Sequence, residues 1–158
     1  MKSFFAVLSM TLFFTSSTYA GNYTDWRKTG TDNDKQQNMI KALPGTSVHM
    51  LQVGERFRNL YWAGKLGKWE FAEYQIEEIQ ELLKRVGITR PKRKATADIF
   101  LENAFRLFPA ALKNKNTATF YKAFEHMRNE CVKCHAANEH SFITLPAKPK
   151  RSNSLVLE

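Results

Sequence analysis

Residues 69–86 read Trp69-Glu-Phe-Ala72-Glu-Tyr-Gln-Ile76-Glu-Glu-Ile79-Gln-Glu-Leu-Leu83-Lys-Arg-Val86. Trp69, Ala72, Ile76, Ile79, Leu83 and Val86 recur at spacings of three and four, the period of one helical face. Glu73, Glu77, Glu78 and Glu81 lie off that stripe, and Lys84-Arg85 fall where the helix dipole favours cations. Gly87 and Pro91 supply stop signals, so the pattern predicts a helix over about 69–85. A helix with one apolar face must bury it against another element. The fold therefore turns on what else in the chain carries a matching stripe.

Three other segments do. Met50, Val53, Phe57 and Leu60 predict a helix over about 47–63, broken by Gly64 and Gly67. A third helix is expected from Thr96, read as its N-cap with Asp98 in the first turn. Its buried face is Phe100, Ala104, Leu107 and Ala111, and Pro109 requires a kink or restart near Phe105. The last helix is expected from Asn116 or Thr117 to about Asn138, with Phe120, Phe124, Met127, Cys131 and Cys134 on its apolar face. No segment reads as a strand and no long repeat is present. Four stripes joined by short connections can bury themselves only against one another, which predicts an all-α, antiparallel four-helix bundle over residues 47–144. Residues 21–46 are polar and weakly patterned and read as an extended leader. Residues 145–158 read as a disordered basic tail, so the bundle carries flexible extensions at both ends.

Met1 to Ala20 reads as a cleaved secretory signal: Lys2, then the apolar run Phe4–Phe14, then small residues in Thr18-Tyr-Ala20. The run is too short for a bilayer core, which needs about twenty residues, so stable membrane insertion is not expected and the mature chain is assigned to the periplasm. The chain carries 24 Lys and Arg against 15 Asp and Glu. A surface this basic fits an acidic protein partner; export and the lack of a recognition motif argue against nucleic acid. Two cysteines three positions apart are too few for the disulfide framework of a small secreted domain, so their spacing is the informative feature.

That spacing is Cys131-Val-Lys-Cys134-His135, the attachment signature of c-type haem. On a helix the two thiols lie about one turn apart and can both bond the vinyl groups of one haem, with His135 following as proximal iron ligand. Three other readings compete. A thioredoxin-like dithiol belongs after a strand, a zinc site wants two further ligands, and an oxidising compartment permits a local disulfide. The pocket expected around the haem is Met50, Val53, Phe57, Phe124 and Met127. For the sixth iron position three options stand: Met50, His49, or an open site. Arg56 and Arg58 are candidates for the haem carboxylates, His126 and His140 are weaker ligand candidates, and Tyr61, Trp62, Trp69 and Tyr74 are read as packing near the first turn.

These residues resemble the cytochrome c′ group, with its six-coordinate cytochrome c-556 relatives and the architecturally similar cytochrome b-562. The resemblance covers about residues 47–143 and rests most specifically on Cys131, Cys134 and His135. The run Arg56-Phe-Arg-Asn-Leu-Tyr-Trp-Ala-Gly64 with Trp69 and Tyr74, and the ending Cys134-His-Ala-Ala-Asn-Glu-His-Ser-Phe-Ile143, also look similar to exported bacterial haem proteins of this fold. The resemblance implies one covalent haem c, a methionine early in the first helix on the iron (here Met50), and pairing into a homodimer through the first two helices. The chain departs from the pattern at Asn138, Glu139 and His140, where a basic residue is usual, and at Pro109. It implies a one-electron carrier or, with an open iron, a five-coordinate protein that binds NO or CO. An enzyme such as a peroxidase is not expected, because His49 is wrongly placed for a distal acid–base group.

Overall fold

The computed structural model describes residues 24–151, and all of their regular structure is helical. The expected signal, residues 1–20, and the last part of the tail, 152–158, lie outside the described residues. No helix among the described residues is long and apolar enough to cross a membrane. The chain divides into two units, residues 1–41 and 42–158.

In the first unit the leader is not extended, as expected from its polarity, but helical. Helix α1 (Trp26–Thr29) is capped by the Asp25 carboxylate, which accepts from the Arg27 amide and from its guanidinium at 2.9 Å. Helix α2 (Asp32–Ala42) opens on a reciprocal pair: the Asp34 amide donates to Thr31 Oγ1 at 3.2 Å, and the Thr31 amide to Asp34 Oδ2 at 3.1 Å. Such a capping box needs no apolar stripe, and neither helix has a buried residue. That is why hydrophobic periodicity missed them.

The second unit holds α3 (Thr46–Lys65), α4 (Trp69–Thr89), a 3-10 turn at Pro91–Arg93, α5 (Lys94–Ala104), α6 (Phe108–Lys113) and α7 (Thr117–Ala137). Helix α3 packs on α4, α4 on α5, α5 and α6 on α7, and α7 on α3. The pairs run antiparallel. Gly64 at the end of α3 meets Phe120 at the start of α7, while Phe57, two turns back, stacks on Phe124 at 4.6 Å. Likewise His126 contacts Asn103 near the end of α5, and Asn138 contacts Thr96 near its start. The described helices thus pack in an arrangement compatible with the expected bundle.

The differences in detail have local causes. Helix α4 runs through Gly87 to Thr89, because buried Gly87 lets Lys94 approach; a Cβ there would lie 3.3 Å from Lys94 Cγ. The stop comes at Arg90, the residue before Pro91, where α geometry is disfavoured. Pro91 then nucleates the 3-10 turn, so α5 starts at Lys94, and Thr96 is no N-cap but bonds back to Arg93 O at 3.0 Å. The kink or restart expected near Phe105 is present: α5 ends at Ala104, and α6 starts at Phe108 with Pro109 in its first turn. The break rotates Leu107 outward, and Phe108 takes the core position instead.

One end of the bundle is solid. Phe120 is fully buried between Phe108 at 5.5 Å and Trp69 at 5.9 Å, and Phe124 packs on Phe57 and Tyr61. The other end is hollow. There the N-terminal halves of α3 and α5 face the C-terminal halves of α4 and α7 without filling the space between them.

Candidate functional site

The hollow end encloses a cavity of about 770 Å³, within the usual range for ligand and cofactor sites. Its walls are largely aliphatic and aromatic: Met50, Val53 and Phe57 from α3, Ile79, Leu83 and Val86 from α4, Ala97 and Phe100 from α5, and Met127 from α7. Cys131, Cys134 and His135 lie on the α7 wall of this same cavity. Their helical spacing brings both thiols and the imidazole to one apolar space, which Met50, Val53, Phe57 and Met127 line as well. Phe124 is the exception: it does not line the cavity but supports Phe57 from behind, because its place on α7 belongs to the solid half of the core.

The two thiols are not joined to each other. Burial pushes the Cys131 thiol up to about 12, with the neighbouring Cys134 adding to the effect. Burial also raises Cys134, opposed by the Asn138 side-chain amide, which lies 3.6 Å from its sulfur, and by the Thr96 side chain. Both groups therefore stay protonated thiols near neutral pH. His135 is half-buried, and its Nδ1 lies 3.3 Å from the Ile143 carbonyl. A carbonyl can only accept, so this bond requires the proton on Nδ1 and leaves the Nε2 lone pair available.

Asn138, which sequence reading treated only as a departure from a family pattern, is the structural keystone of the motif. Its side-chain amide donates to Cys134 O at 2.7 Å and Thr96 Oγ1 at 2.9 Å, and its Oδ1 accepts from Arg93 at 2.8 Å. The C-cap of α7 is thereby tied to α5 and the preceding turn. An Asn just past a helix was a legible capping signal, but its partners forty residues away were not.

Charge is one-sided at the cavity. Arg58, Arg93, Lys148 and Lys150 line it, and among the described residues no aspartate or glutamate does, although Arg58 pairs with Glu55. Arg56, also expected nearby, turns away: it pairs with Glu78 at 3.3 Å and lies over the Tyr74 ring at 5.3 Å. His49 is buried outside the cavity lining, with Nε2 3.4 Å from Thr89 Oγ1. Burial first, then Arg85 and Arg90, hold its pKa below the usual imidazole value. His126 is engaged with Asn103 O at 2.9 Å, remote from the motif, whereas His140 lines the cavity and stacks on Phe142. Tyr61 packs on Tyr121 and Phe124 in the core, while Trp62 reaches the tail.

That tail is the other correction. Residues 145–151, expected to be disordered, lie against the bundle, with Pro149 buried and Leu145, Pro146, Lys148, Pro149 and Lys150 on the cavity wall. Prolines and lysines read as tail composition, yet the long lysine stems and proline rings cover apolar surface.

Among the described residues no group of three or more His, Cys, Asp and Glu side chains could hold a metal ion. Comparison with protein-family models, with curated proteins and with solved structures found no match to this chain.

Proposed function

We propose that the chain is an exported c-type cytochrome that carries one electron on a single haem, attached through Cys131 and Cys134 with His135 as proximal ligand. The observation that carries this reading is that all three motif residues line one apolar cavity of about 770 Å³, together with Met50. The donor set fits the group: two protonated thiols one turn apart, an imidazole with Nε2 available, and a thioether on another wall. The charge fits as well, because Arg93, Lys148 and Lys150 line the cavity and can meet two carboxylates, while Arg58 beside them is already paired with Glu55. A zinc site fits poorly, since among the described residues no group of three or more Cys, His, Asp and Glu side chains could hold a metal ion.

The bound haem would supply a one-electron iron couple. This chain's residues would retain it covalently, exclude water with aliphatic walls, and orient His135 through its Nδ1 proton. Met50 is the proposed sixth ligand; a thioether there favours the reduced state and raises the potential. His49 is the weaker choice, because it is buried outside the cavity. Without residues 1–20, which fit periplasmic delivery, the chain carries 23 Lys and Arg against 15 Asp and Glu, and that net charge of +8 fits encounter with an acidic redox partner.

The test is to export the full chain from cells competent in c-type haem maturation and record spectra oxidised, reduced, and reduced under CO. Sharp reduced bands unmoved by CO, with haem mass retained after denaturation, are expected. Met50→Ala should then let CO shift the spectrum. A wild-type spectrum that CO already shifts would favour an open iron and gas binding. Absence of haem from the wild type, or its covalent retention by Cys131→Ser/Cys134→Ser, would overturn the reading.

A further inference from the structure

Residues 143–150 leave the end of α7 and run back along the cavity. Three side-chain hydrogen bonds hold this run, one from α3 and two from α7. Trp62 Nε1 donates to Pro149 O at 3.1 Å, Arg128 Nη1 to Leu145 O at 3.3 Å, and His135 Nδ1 meets Ile143 O at 3.3 Å. The Trp62 ring is further covered by the Lys65 ammonium at 4.5 Å and the Arg151 guanidinium at 6.0 Å. Pro149 is buried, and Leu145 packs on the core. Pro146 and Pro149 restrict the free chain, which lowers the entropy lost when the run is laid down.

We infer that Ile143–Lys150 is a strap that closes the cavity and sets the proton position on His135, with Trp62 as its latch; this rests on the haem reading above. A solvated neutral histidine side chain prefers its proton on Nε2, the nitrogen that must bind iron. The Ile143 carbonyl accepts only from Nδ1–H, so the seated strap selects the tautomer with Nε2 free. Once iron is bound, the same bond strengthens imidazole donation and holds the ring's orientation. Trp62 is thus a positioning residue: it acts on the site through the strap, from 87 positions away.

Two variants of the full-length protein test this. Trp62→Phe keeps an aromatic ring and removes the donor; a chain ended after Ser141 removes the strap. In wild type the Trp62 indole N–H, which donates to Pro149 O, should exchange roughly fivefold more slowly than in the truncated chain, as one net hydrogen bond implies, and Trp62→Phe should shift part of the His135 population to the Nε2–H form. In the haem-free chain, imidazole nitrogen shifts should report Nδ1–H for His135 in wild type and Nε2–H after truncation. In the haem-loaded chain, the reduction potential should rise in the truncated variant. A Trp62 indole N–H that exchanges as fast in wild type as after truncation, or a His135 tautomer indifferent to truncation, would overturn the inference. Both readouts are made without haem, so they separate its failure from that of the cytochrome reading, which fails instead on absent haem mass.

Discussion

Gly64 is where the packing of α3 on α7 can be tested most sharply. A Cβ at this position would fall 2.0 Å from Phe120 Cε1, 2.3 Å from Cδ1 and 2.5 Å from Cζ. Carbon atoms pack at about 3.5–4.0 Å, so the Phe120 ring would have to retreat by about 1.5 Å. It has nowhere to go: the ring is fully buried, with Phe108, Trp69 and Tyr121 around it at 5.5, 5.9 and 6.1 Å. Overpacking of this kind costs about 1–3 kcal/mol, and so severe an overlap belongs at the upper end. Replacing a helical glycine by alanine returns at most about 1 kcal/mol. Gly64→Ala should therefore lose about 2 kcal/mol, which lowers the melting temperature by roughly 5–10 °C for a domain of this size. Urea unfolding followed by far-ultraviolet circular dichroism measures it, with both proteins in the same ligation state. Gly54→Ala is the control, since nothing lies within 4 Å of a Cβ there; it should gain about 0.5–1 kcal/mol from backbone entropy alone. A Gly64→Ala protein as stable as wild type, or two variants that lose stability alike, would refute the steric argument.

The pH dependence of stability carries two signatures of opposite direction. Burial beside Arg85 and Arg90 depresses the His49 pKa below 6.5. The unfolded chain therefore takes up this proton first as pH falls. His49's contribution is present above 6.5 and lost on acidification through the lower folded value; His49→Gln should flatten the acid limb of a urea-midpoint profile. Cys131 has the reverse sign: its thiol is raised from 9.0 to about 12. In haem-free protein stability should thus drain away as pH rises from 9 towards 12, and iodoacetamide should alkylate the folded protein slowly at pH 9. Covalent attachment removes that thiol, so the alkaline slope should be shallower in haem-loaded protein, and an identical slope in both would argue against thioether bonds at Cys131.

What the sequence determined by itself was everything carried by local spacing. The apolar stripes at 69–86 and 50–60 fix which faces of α4 and α3 turn inward, because a 3.6-residue period is a property of the backbone and needs no partner. The motif Cys131-Val-Lys-Cys134-His135 was legible for the same reason: its chemistry depends on one turn of one helix. Pro109 announced the break before α6, since a missing amide proton acts wherever it stands. The tertiary structure decided what depends on distant neighbours. It extended α4 through Gly87, where Lys94 lies against the bare glycine, and it excluded Phe124 from the cavity by seating that ring behind Phe57. It joined Asn138 to Arg93 and Thr96, and laid Pro149 on Trp62. A contact between residues 45 or 87 positions apart leaves no periodic trace in either segment. Only the closed bundle makes those groups neighbours, and only there does a tail of prolines and lysines become a wall of the site.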